Sequence, residues 1–198
     1  MNAHIQPKIL RVLMQQHPSM PALLLIDIQQ SLCTGPNAAW DCTTLIAHIN
    51  QVTAAARQAS TPIIWVRHAE PGLEAGTPGW QLADGLQVDN ADLTLDKTTG
   101  DAFWKTDLLP MLQNLGVQEL VIGGMHTEYC VDVTTRAALR HGYPVVLLED
   151  AHTTCGNAAI TPQQVIAHHN ITLSTTSSFG PRARLQTAQQ WADSVTQA

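Results

Sequence analysis

Runs of consecutive apolar residues recur along the chain, each bounded by Asp, Gly, Pro or a charged side chain. They are ALLLID (22–27), PIIWVR (62–67), DLTLDK (92–97), ELVIGG (119–124), PVVLLED (144–150) and ITLSTT (171–176). Runs without polar alternation suit strands covered on both faces, as in a parallel sheet. Between them the period becomes helical: TTLIAHINQVTAAARQAS, with Thr43 or Thr44 as N-cap, KTDLLPMLQNLG, ending at Gly116, and TEYCVDVTTRAALRHG, ending at Gly142. Alternating strands and helices predict right-handed crossovers. The expected fold class is α/β: a three-layer α/β/α, Rossmann-like arrangement around a mainly parallel six-stranded sheet.

The exception to this rhythm is residues 68–91, HAEPGLEAGTPGWQLADGLQVDNA, a Gly- and Pro-rich connection long enough to read as a binding element. Residues 1–20 read as an N-terminal arm in which KILRVLMQQH has the spacing of a short amphipathic helix; residues 21–198 read as one domain. With 44% apolar and 13% charged residues in 198, the chain can bury one sizeable core. Sixteen acidic against ten basic residues, a net charge of −6, argue against a nucleic acid or an anionic membrane as partner and leave a small molecule. Neither a leader pattern nor a membrane-length apolar segment is visible, so a cytoplasmic location is expected. The four cysteines, Cys33, Cys42, Cys130 and Cys155, are too sparse for a disulfide scaffold and form no C-x-x-C pair.

Ligands of open parallel sheets bind beyond the carboxyl ends of the strands. Three reactive residues fall there: Asp27 closes ALLLID, Lys97 closes DLTLDK and Cys130 follows ELVIGG by six residues. Taken singly, each has an ordinary role, as turn cap, solvated charge or buried filler. Placement at the start of a helix changes the reading of Cys130, because unpaired backbone N–H groups favour a thiolate. No G-x-S-x-G, Walker A or G-x-G-x-x-G stretch is present. His68-Ala69-Glu70 spells half of a nucleobase deaminase signature without its P-C-x-x-C partner.

D-I-Q after the first strand, K-x-x-x-D-A-F around Lys97, G-G-M-H-T-E-Y-C-V-D followed by T-x-R-A-A-L and H-G-Y, and E-D-A-H-T-T occur in this order. Together they resemble the isochorismatase-like cysteine hydrolases, over roughly residues 21–176. The resemblance implies Asp27, Lys97 and Cys130 as catalytic residues, and a cis peptide between Met125 and His126. It further implies an oxyanion hole from the backbone N–H groups of His126 and Cys130, and a homodimer or homotetramer. Leu32, Trp80, Phe103 and Thr127 are the candidate substrate-binding residues, with Glu128 and Tyr129 facing either the pocket or a neighbouring subunit. Metal-dependent nicotinamidases carry D-x-H after the second strand, where this chain has WVRHAEPG without the matching Asp; no metal and no redox cofactor are expected. His68 and Glu70 are then pocket candidates, and His152, His168 and His169 have no assigned role. The implied activity is hydrolysis of a C–N bond in a small amide, lactam, carbamoyl or ureido compound through a Cys130 thioester. The alternatives are an isochorismatase-type vinyl-ether hydrolase, whose chemistry does not use the cysteine, or a thiol redox sensor built on Cys130.

Overall fold

The computed structural model describes residues 20–197, so the helix expected within the N-terminal arm lies outside the described residues. Six strands form the sheet: β1 (Pro21–Ile26), β2 (Ile63–His68), β3 (Leu93–Lys97), β4 (Glu119–Met125), β5 (Val145–Thr153) and β6 (Ala183–Gln186). Their order is β3-β2-β1-β4-β5-β6, and every pairing is parallel. Strand order reverses between β1 and β4, which opens the crevice where α/β sheets bind ligands.

The helices are α1 (Gln30–Cys33), α2 (Cys42–Gln58), α3 (Leu108–Asn114), α4 (Asp132–Arg140), α5 (Pro162–Thr175) and α6 (Ala188–Thr196). The uninterrupted apolar runs are explained by cover on both faces. Along β1, Ala22, Leu24 and Ile26 enter one core with Leu108, Leu112 and Ala138, while Leu23 and Leu25 enter another with Ile49, Val52 and Trp191. The residues of β1 thus leave water on whichever side they point, and burial on this scale is the main stabilising term.

Two expectations need correction. ITLSTT is the end of α5, not a strand: Thr161 and Gln164 form a reciprocal capping box, and Pro162 occupies the first turn. The hydroxyls of Ser174, Thr175 and Thr176 bond back to the carbonyls of Asn170, Ile171 and Thr172 at 2.7, 2.8 and 2.8 Å, so residues with strand preference sit in a helix without unsatisfied groups. The sixth strand is instead the short ARLQ at the sheet edge. The N-cap of α2 is Asp41, whose carboxylate accepts from Thr44 N–H at 3.3 Å, rather than Thr43 or Thr44.

At the switch point β4 carries Gly123 and Gly124. Gly124 has φ +125°, and a Cβ there would run into the Ile26 carbonyl oxygen of β1. Gly124→Ala is therefore expected to destabilise the fold by at least about 2 kcal/mol, through overpacking against backbone and a disfavoured φ. Equilibrium urea unfolding measures this, and an unchanged midpoint would show that β1 and β4 can part without cost.

Candidate active site

The carboxyl ends of β1, β3 and β4 converge. Asp27 follows β1 in the left-handed region (φ 54°), its N–H held by Val66 O at 3.0 Å and its carbonyl accepting from Gln29 N–H at 2.8 Å. Aspartate tolerates this conformation better than most residues. Lys97 ends β3, in register with His68 at the end of β2. After β4 the Met125–His126 peptide is cis, as the resemblance implies. The chain then folds into a π-helical turn, Thr127–Val131, in which the N–H groups of Tyr129 and Val131 both donate to the His126 carbonyl. Cys130 lies in this turn, one stage earlier than the regular helix α4.

Lys97 Nζ is the hub. It lies 2.7 Å from Asp27 Oδ2, 3.1 Å from His68 Nδ1 and 3.2 Å from Cys130 Sγ, so each of its three protons has an acceptor. His68 must accept at Nδ1, which places its proton on Nε2, 3.4 Å from Glu70 Oε2. Asp27, His68 and Cys130 also offer metal-ligand atoms within 4.8 Å of one another, but the Lys97 ammonium already supplies the positive charge among them. Asp27 and Lys97 are each 2% exposed. Burial raises the Asp27 carboxyl above the usual carboxylate range, with Lys97 opposing the shift. Burial and then the Asp27 charge push the Cys130 thiol up to about 12, against the pull of Lys97. This corrects the expectation of a resting thiolate: the turn's N–H groups do not outweigh desolvation and a neighbouring carboxylate. These shifts favour a resting thiol on Cys130 beside an Asp27 carboxyl group of raised basicity.

Gln29 escaped the sequence reading although it stands in the D-I-Q stretch. Its amide donates to the carbonyls of His68 (3.0 Å) and Trp80 (2.8 Å) and accepts from His68 N–H (2.8 Å), stitching β2 and the long loop to β1. Trp80 is buried, with the Arg67 guanidinium 3.9 Å above its ring. Leu32 is half-buried beside the core on the α2 side of the sheet. Phe103 packs in the opposite core, its ring 4.9 Å from that of His141 and 6.5 Å from that of Tyr143. Tyr129 is 63% exposed.

Thr127 is fully buried and spends its hydroxyl on His152 Nδ1 at 2.9 Å. The Asn170 amide donates to Glu149 O, which turns its oxygen towards His152 Nε2 at 2.8 Å. Nε2–H therefore donates to Asn170 and Nδ1 accepts from Thr127. His152 is a strut of the turn that carries Cys130, and Thr127 is its partner rather than a free hydroxyl in the pocket. His168 and His169 lie on α5, with His169 bonded to Val165 O at 2.9 Å.

Burial holds His152 down to about 4, against an ordinary value of 6.5. Between these two values the unfolded chain binds a proton that the folded chain refuses, so stability falls as pH drops from 6.5 to 4 and is fully present above 6.5. The expected loss is about 3 kcal/mol. Urea unfolding from pH 7.5 to 4 measures it; His152→Asn should give a flatter curve by that amount, and equal slopes would remove His152 as the cause.

The chain matches the family model described as the isochorismatase domain over residues 21–175. Streptothricin hydrolase of Streptomyces noursei is 34% identical over 136 residues, covering 67% of this chain and 54% of that protein. The uncharacterized isochorismatase family protein YddQ of Bacillus subtilis (strain 168) is 31% identical over 146 residues, covering 67% and 77%. This chain spans about half the length of the streptothricin hydrolases it matches. A crystal structure of an isochorismatase family protein superposes with a TM-score of 0.78 at 33% identity, over 84% of this chain and 98% of that one. N-carbamoylsarcosine amidase from Thermoplasma acidophilum shares the fold, with a TM-score of 0.70 at 21% identity over 85% and 96%. With the switch-point crevice and its Asp27–Lys97–Cys130 cluster, these matches show that the chain belongs to the isochorismatase family of hydrolases.

Proposed function

We propose that this chain is an amidase-type cysteine hydrolase, cleaving the C–N bond of a small amide, lactam, carbamoyl or ureido compound through a thioester on Cys130. The observation that carries the reading is Lys97 Nζ bonding Asp27 and Cys130 at once, within 2.7 and 3.2 Å, at the switch point of the sheet. The streptothricin hydrolase relatives support hydrolytic chemistry in chains of this sequence.

Asp27 takes the proton of the Cys130 thiol as sulfur adds to the substrate carbonyl, and its raised basicity suits that transfer. Lys97 keeps the buried carboxylate in place and offsets the charge forming on sulfur. The backbone N–H groups of His126 and Cys130 are the donors for the tetrahedral oxyanion. Collapse breaks the C–N bond, and the proton held by Asp27 passes to the departing amine. Water then gives a proton to Asp27 and adds to the thioester; the acid leaves, and sulfur recovers its proton from Asp27. Atoms balance as amide plus water to acid plus amine.

A panel of amides, carbamates and ureides assayed for ammonia or amine release is the direct test, with intact-mass detection of the acyl-enzyme in rapidly quenched reactions. The mass of the substrate less its amine should appear on the Cys130 peptide. Turnover with the adduct on another residue, or turnover without Cys130, would sink the mechanism.

A further inference from the structure

Glu128 stands two residues ahead of the nucleophile in the same turn, and the chemistry above does not use it. Both of its carboxylate oxygens are buried and have no hydrogen-bond partner among the described residues. A desolvated carboxylate is compensated only by donors, and best by a cationic one. The Cys155 thiol donates to Asn37 O at 3.3 Å and lies 3.7 Å from His126 Nε2. Burial pushes the half-buried His126 ring below its ordinary value against the pull of Glu128, Asp27 and Glu70, which makes it a poor counter-charge.

The charged groups that end or flank the site strands are already paired. Glu70 faces the site beside His68, its side chain 60% exposed. Lys97 is spent on Asp27, His68 and Cys130, and Arg67 pairs with Asp96 at 2.8 Å. Arg57 and Arg136 are held by Asp92 and Asp132. An anionic substrate would therefore meet the unpartnered Glu128 carboxylate with Glu70 beyond it, while a cationic one would supply the donors that Glu128 lacks.

Resting on the amidase reading, we propose that Glu128 is a substrate-recognition residue that selects amides carrying an ammonium or guanidinium group, with Glu70 reinforcing the preference through its field. The occupant is a small cationic amide.

Three amides of matched length test this: 6-aminohexanamide, hexanamide and 6-amino-6-oxohexanoate, which differ in bearing a positive, no or a negative charge. Ammonia release gives kcat/KM for the natural enzyme and for Glu128→Gln. Calorimetry gives binding of 6-aminohexanamide and hexanamide to Cys130→Ala, with and without Glu128→Gln. The cation is expected to be preferred over the neutral amide by about 10- to 100-fold, the range for a hydrogen bond to a charged group. Glu128→Gln should reduce that ratio to about 3 or less, and Glu128→Asp should restore part of it.

Equal kcat/KM for cation and neutral in the natural enzyme, or a ratio that survives Glu128→Gln, overturns the assignment while leaving amide hydrolysis intact. Binding of the cation that depends on Glu128, with none of the three amides turned over, would instead fail the amidase reading and keep the recognition role. If Glu128→Gln dissociates an oligomer in light scattering and leaves selectivity unchanged, the carboxylate pairs with a second copy of the chain and the proposal is wrong.

Discussion

Lys97→Met will lower kcat/KM by about 1,000-fold and cost the fold about 3–5 kcal/mol, because it strips a buried carboxylate of its counter-charge. Asp27 Oδ1 has no hydrogen-bond partner among the described residues, so the Oδ2 bond to Lys97 is what keeps the carboxylate tolerable inside the protein. Without it, Asp27 will hold a proton at neutral pH and be unable to take one from sulfur. The double variant Asp27→Asn with Lys97→Met separates the two effects. Removing both charges should return much of the stability, since the uncompensated ion is gone, but none of the activity. Urea unfolding and steady-state kinetics on the two singles and the double read this out. Activity within tenfold of natural in Lys97→Met would mean that the hub is structural and that another group activates the thiol.

The Asp27–Lys97–Cys130 cluster was legible because strand ends are legible. An apolar run that stops at Asp or Lys marks the edge where side chains leave the sheet, and the two such marks at Asp27 and Lys97 share one edge with the turn after β4. The roles of Met125 and His126 came from resemblance to a family rather than from spacing, whereas Cys130 was marked by its distance from the end of ELVIGG as well. His68 and Gln29 were not assigned their roles because these depend on register. His68 meets Lys97 only since β2 and β3 pair residue for residue at their ends, and Gln29 reaches Trp80 across a loop whose path spacing does not encode. Thr127 and Phe103 show the same limit: their places in the chain put them near the site, while the structure turns one towards His152 and the other into the core. The capping box that makes ITLSTT helical lies seven to ten residues upstream of its first residue, at Gln164 and Thr161, where a reader of the apolar run does not look.

The thiolate expectation failed for a different reason. Helix-terminus N–H groups act on any thiol placed near them, but their effect is set against desolvation and the Asp27 charge, both visible only in three dimensions. Sulfur that rests as a thiol also weakens the redox-sensor alternative, because oxidation proceeds through the thiolate.

Cys130→Ala is expected to lower amide turnover by at least about 10,000-fold while leaving unfolding nearly unchanged, since a half-buried thiol contributes little packing. A second measurement on the natural enzyme decides how the sulfur is activated. With the thiol near 12, iodoacetamide should label Cys130 slowly at pH 7, and the rate should rise about tenfold per pH unit through pH 9 and beyond. Peptide mapping separates it from Cys33, Cys42 and Cys155. Turnover at pH 7 alongside slow alkylation then requires that the proton leave sulfur only as the carbonyl is attacked, which is the part given to Asp27. Labelling that reaches its plateau below pH 8 would show a pre-formed thiolate–ammonium pair with Lys97, and Asp27 would lose its place as the base.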